Sequence, residues 1–207
     1  MYYGRVTAPD PSKSARRNEL LGLAADLFAE RGLRATTVRD IADAAGILSG
    51  SLYHHFDSKE SMVDEILRGF LDDLFGRYRD IVASGLSSRD TLEALVLASY
   101  ESFDRYHAAV AIYQAEAKRL RGVERFTYID EYNKEFRALW HQVLTNGVRD
   151  GSFRAELDIE LAYRFLRDTV WVAVRWYTPG GPITVDNLAK QYLTIVLDGL
   201  TVPGHTT

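Results

Sequence analysis

Apolar residues recur at three- and four-residue steps through almost the whole chain, and this periodicity limits the fold more than any other property of the sequence. Leu20, Leu23, Ala24, Leu27 and Phe28 form one series, stopped by Gly32. Val38, Ile41, Ala42 and Ala45 form a second, with Thr36 or Thr37 able to cap it and Gly46 able to end it. A short third helix is expected through Ser49 to His55. Asp57 or Ser58 then caps a long one carrying Met62, Ile66, Leu67, Phe70, Leu74 and Phe75. After the break at Ser84-Gly85 and Ser87-Ser88, the spacing predicts further helices at residues 89–106, 108–121, 124–150, 158–177 and 184–200. The valine-rich run Val170 to Val174 has strand-like composition, but it lies in a long stretch free of Gly and Pro, where length favours helix. The expectation is an all-α fold of about nine helices.

Three segments follow from the punctuation. Residues 1–15, with Gly4, Pro9 and Pro11 and no apolar period, read as a flexible basic arm; residues 16–60 read as a small helical domain and residues 61–207 as a larger one. A chain of 207 residues with 46% hydrophobic and 26% charged residues has ample apolar material for a core, which sets global disorder aside. It has no cysteine, so disulfides, zinc fingers and thiolate nucleophiles are excluded. A leader pattern and an apolar run of about 18 residues are both missing, so the expected location is the cytoplasm, with no membrane partner. The net charge of -4 argues against a nucleic-acid binder only as an average. Residues 1–60 hold eight Lys/Arg against eight Asp/Glu, whereas residues 61–207 hold 17 against 21.

The segment TTVRDIADAAGILSGSLYHHFDSKE, Thr36 to Glu60, has the spacing of a helix-turn-helix. Ala45 and Gly46 permit a sharp turn, and Ile47 can plug the gap between the helices. Ser49, Gly50 and Ser51 then lead the second helix with side chains short enough for its backbone to settle into a DNA major groove and face the bases. Tyr53, His54 and His55 would bring ring donors to the phosphates, while Leu52 and Phe56 point back to the core. Lys59, in the first turn of the next helix, and Thr37, at the start of helix two, are candidate phosphate clamps. In another context Tyr53, His54 and His55 would be ordinary amphipathic residues; their place after the small-residue turn is what suggests DNA.

The run from the first helix through LYHHFDSKESM resembles the DNA-binding domain of TetR-family repressors over about residues 16–70. The resemblance implies an N-terminal helix-turn-helix, a C-terminal ligand-binding and dimerisation domain at 61–207, and a homodimer formed by the last two helices. NGVRDGSFRAELD also resembles the family's glycine-punctuated helix end. RGLRATTVRDIADAAGILSGSLYHHF and YRFLRDTVWVAVRWYTPGGP are similar to actinobacterial TetR-type repressors of steroid (cholesterol) ring degradation, which sense a CoA thioester of a bicyclic steroid fragment. That likeness implies an acyl-CoA effector, not a cofactor, and release from an inverted-repeat double-stranded operator.

The residues of the second half admit two readings. Arg167, Trp171 and Arg175 are four apart on one helix face, a spacing suited to phosphate forks and purine stacking. Equally, Arg167 could pair with a carboxylate and Trp171 fill core. The resemblance assigns ligand contact to Arg167 and Trp171; Arg175 and Trp176 extend it. Tyr100, Phe103, Tyr106, Tyr113, Trp140 and Phe165 are candidate cavity walls or plain core. His107 and His141 have no metal-ligand spacing and read as structural, so neither a metal nor a catalytic site is expected. The rivals are a regulator of fatty-acid or drug-efflux genes with another apolar effector, a CoA-ester enzyme, and a protein-interaction adaptor. The enzyme has little support, since the chain carries no G-x-S-x-G, Walker A or dinucleotide-binding glycine series.

Overall fold

The computed structural model of the chain describes residues 11–198. Eight α-helices fill them: α1 (Pro11–Arg31), α2 (Val38–Ala44), α3 (Ser49–Leu52), α4 (Lys59–Ala83), α5 (Ser88–Leu120), α6 (Tyr128–Asp150), α7 (Ile159–Val172) and α8 (Val185–Leu193). Among the described residues there is no strand, and no helix is long and apolar enough to cross a membrane. The chain divides into two compact units at Ile66/Leu67, with α4 contributing to both.

In the first unit, Leu20, Ala24, Phe28, Ile41, Ala42, Leu52, Phe56, Met62 and Val63 form the core. α1 already runs through Pro11, the first described residue, ahead of the expected start at Arg16. Residues 11–15 of the expected arm are therefore helical, and residues 1–10 of it lie outside the described residues. Thr37 rather than Thr36 caps α2, in a reciprocal box with Asp40. Thr36 is fully buried and its hydroxyl donates to the carbonyls of Leu27 and Gly32. Gly46 takes the left-handed φ of 66° that the α2–α3 turn needs. α3 is α-helical only to Leu52, after which tighter turns carry the chain to Phe56 through bonds from the His54, His55 and Phe56 amides.

In the second unit, α5 packs against α6, α7 and α8, and α6 against α7. The two helices expected at 89–106 and 108–121 are one bent helix: Tyr106 leaves helical geometry (φ −133°, ψ 30°), yet helical bonding resumes beyond it. An aromatic core built on Tyr78, Phe136 and a fully buried Trp140 fills the centre. α6 ends at Gly151 in the left-handed region (φ 80°), and the Phe153 ring folds back over Gly147. α7 stops at Val172, and a 3₁₀ turn covers Ala173–Arg175. Leu161, Phe165 and Val172 on α7, Trp176 just past it, and Ile195 and Val196 after α8 remain exposed.

Candidate functional site

The helix-turn-helix turns the side expected to read DNA toward solvent. Gly50, Tyr53 and His54 are exposed, and Ser49, Ser51 and His55 half-buried, while Leu52 and Phe56 anchor the opposite side. The basic residues nearby are largely spent inside the unit. Arg16 donates to Glu19 and to the Ala45 carbonyl at 3.0 Å. Arg17 pairs with Glu65 and lies over the Phe56 ring at 4.4 Å. Lys59 Nζ donates to the carbonyls of Leu33 at 2.7 Å and Thr36 at 3.0 Å, tying the α1–α2 turn to the start of α4. The Thr37 hydroxyl donates to Asp40 and accepts from its amide. That bond, with the Thr37 backbone amide, holds the Asp40 carboxyl below its ordinary range.

The second unit contains a cavity of ≈ 390 Å³ among α4, α5, α6 and α7, lined on its apolar side by Phe70, Leu74, Phe75, Phe136 and Trp171. Its polar lining is Tyr113, Gln114, Arg121, Tyr132, Asn133, Arg167 and Asp168. Phe70 is the ring on which these elements converge, with Tyr113 at 6.2 Å and Trp171 at 6.1 Å between centroids. Tyr113 donates to Asn133 at 2.9 Å, and burial pushes its phenol up to about 12. Arg167 bonds Asp168 through Nε at 2.7 Å, and its cation faces the Tyr163 ring at 5.5 Å. Arg121, the residue that ends α5, reaches Asp130 at 3.3 Å.

The sequence pattern described as "Bacterial regulatory proteins, tetR family" matches residues 20–66, and that described as "Tetracyclin repressor-like, C-terminal domain" matches residues 85–200. The chain belongs to the TetR family. It is 76% identical over 191 residues to the HTH-type transcriptional repressor KstR2 of Rhodococcus jostii (strain RHA1), covering 92% of this chain and 94% of that one. It is 61% identical over 191 residues to KstR2 of Mycobacterium tuberculosis (strain ATCC 25618 / H37Rv), covering 92% and 96%. The solved structure of the ketosteroid transcriptional regulator KstR2 of Mycobacterium tuberculosis matches with a TM-score of 0.87 at 60% identity, covering 96% of this chain and 100% of that one. These relatives are transcription repressors, not enzymes.

Within this TetR-family fold, the structure separates the expected effector residues. Tyr113, Arg167 and Trp171 line the cavity. Tyr100 and Phe103 are buried core that does not line it, and Trp140 is fully enclosed against Phe136 and Tyr78. Arg175 and Trp176 fall beyond the end of α7, so the four-residue spacing from Arg167 and Trp171 no longer keeps them on one face. Both are exposed, Trp176 at 56%. Phe165 is exposed at 63%, and Tyr106 meets Phe70 at the bend of α5. Trp171 is buried against Phe70, Phe103 and Phe136, which makes it an inner wall rather than a free stacking platform. His107 meets the Tyr177 carbonyl at 3.2 Å. His141 Nε2 lies 3.0 Å from Glu160 without hydrogen-bond alignment. Arg121 and Asn133 escaped the reading of the sequence, which places Phe70 only in the apolar series of a helix and not at a cavity. Arg121 follows a helix end, outside every amphipathic face, and only packing brings it to Arg167.

Proposed function

We propose that the chain is a homodimeric repressor that binds an inverted-repeat operator and is released by an acyl-CoA from steroid ring catabolism. The observation that carries this reading is a partly open cavity with an apolar wall, edged by two solvent-reaching arginines, in a chain 76% identical to a KstR2 repressor. At ≈ 390 Å³ the cavity is near the lower end of ligand sites, about 300–1,000 Å³. It suits the acyl body, which leaves the nucleotide outside. Arg167 and Arg121 then meet phosphates, each exchanging its aspartate for a more highly charged partner. Trp171 backs the acyl group.

Ser49, Gly50 and Ser51 face the base edges; Tyr53, His54 and His55 contact phosphates. Thr37 acts there through its backbone and α2 rather than through a free hydroxyl. Lys59 offers its third N–H to a phosphate while its other two hold the turn. The exposed apolar side chains of α7 and after α8 supply the dimer surface. A two-fold dimer places its reading helices in successive major grooves about 34–36 Å apart or more. Effector entry displaces Phe70 and with it α4, and the altered spacing of the heads favours release. The site of action is the cytoplasm, where the DNA lies.

Calorimetric titration of the full chain with CoA and with a bicyclic-steroid acyl-CoA tests the effector half. Saturable heat with the thioester, lost in Trp171→Ala, is expected; equal binding of free CoA would remove the acyl cavity from the account.

A further inference from the structure

Leu48 is the most exposed large apolar side chain among the described residues, at 81%. It occupies the N-cap of α3 with extended backbone (φ −71°, ψ 142°) and makes no side-chain cap bond. Helix starts favour Ser, Thr, Asp or Asn, whose oxygen satisfies a free amide, and aliphatic residues rank at the bottom. The chain follows this rule elsewhere, capping α2, α5, α7 and α8 with Thr37, Ser87, Asp158 and Thr184. Leu48 therefore serves neither the cap nor the core, which Ile41, Ala42, Leu52 and Phe56 fill without it. A local preference broken with no compensating contact in the fold points to use outside it.

Leu48 directly precedes Ser49-Gly50-Ser51, the segment that faces the bases under the proposed function, and the present inference rests on that reading. Base edges in the major groove display donors, acceptors and one apolar group, the 5-methyl of thymine. We infer that Leu48 reads a thymine methyl in each operator half-site, adding an apolar contact to the polar reading by its neighbours. Deoxyribose is the other apolar surface on DNA, but contact there is blind to the methyl.

The test uses the full chain and a duplex that it selects from a random-sequence pool. Each thymine of a half-site is replaced singly by deoxyuridine, which keeps the hydrogen-bonding edge and removes the methyl. At one position wild type should lose about fourfold in affinity, the worth of one buried methyl-sized group. Leu48→Ala should bind the thymine duplex weaker by at least that factor and ignore the replacement. Leu48→Ser restores a capping oxygen, so its Tm should hold or rise while its operator affinity falls. Replacement effects that are identical in wild type and Leu48→Ala, or missing at every position, would overturn the inference. Selection that enriches no sequence would remove DNA reading itself, and Leu48's part with it.

Discussion

Lys59 donates to the carbonyls of Leu33 and Thr36, so Lys59→Ala leaves two part-buried oxygens without their partner. Loss of hydrogen bonds to a charged donor costs about 1–3 kcal/mol. The variant should therefore melt at lower temperature as well as bind operator more weakly, two effects that thermal denaturation and a mobility shift read separately. Tyr53→Phe behaves differently, because its ring is exposed and contributes no core. It should keep its Tm and lose operator affinity; unchanged affinity would move Tyr53 away from the phosphates. At the cavity, Arg121→Ala and Arg167→Ala should each preserve operator binding and raise the effector concentration for half-release about tenfold or more. A normal response in Arg121→Ala would confine phosphate contact to Arg167.

The longer helices were readable because their apolar periods are sustained and Gly32, Gly85 and Gly151, all with positive φ, fall just past their ends. At Tyr106 the sequence reads as a break between two helices where the chain only bends, because no turn residue there distinguishes the two. The end of α7 was not readable, since the next Gly or Pro after Gly151 is Pro179 and the backbone tightens after Val172 without a local signal. Extending the Arg167–Trp171 face to Arg175 failed for that reason. The cavity wall was equally hidden: Tyr113 and Trp140 look alike in sequence, and only the packing of α4 to α7 decides which one meets empty space. Element ends also carry testable strain. A Cβ on Gly147 collides with the Phe153 ring, so Gly147→Ala should destabilise by about 1–3 kcal/mol in denaturant unfolding. Between α6 and α7, hydrogen bonds from Arg137 and then Arg164 hold the Glu160 carboxyl down to about 2, from an ordinary 4.5. Its stabilising effect is complete above 4.5 and drains away as pH falls toward 2. Glu160→Gln should flatten the acid limb of stability in that window, and an unchanged limb would show the cluster to be inert.

Across the whole molecule, the surfaces of the two units reflect a division of labour. The first unit carries the helix-turn-helix, while the second carries the exposed apolar strip of α7. Leu161, Phe165 and Val172 on that strip are suited to a copy of themselves in a two-fold interface. Phe165→Asp should yield a monomer of 23.4 kDa by light scattering and abolish tight operator binding, because one reading head loses its tether to the other. A stable dimer in that variant would place the interface elsewhere. The central claim joins both units: effector occupancy in the second governs DNA held by the first. Its most direct measurement is an electrophoretic shift of the chain's upstream DNA at fixed salt, titrated with free CoA and with the bicyclic-steroid acyl-CoA. The account predicts release by the thioester and none by free CoA. A complex that survives saturating thioester would contradict it.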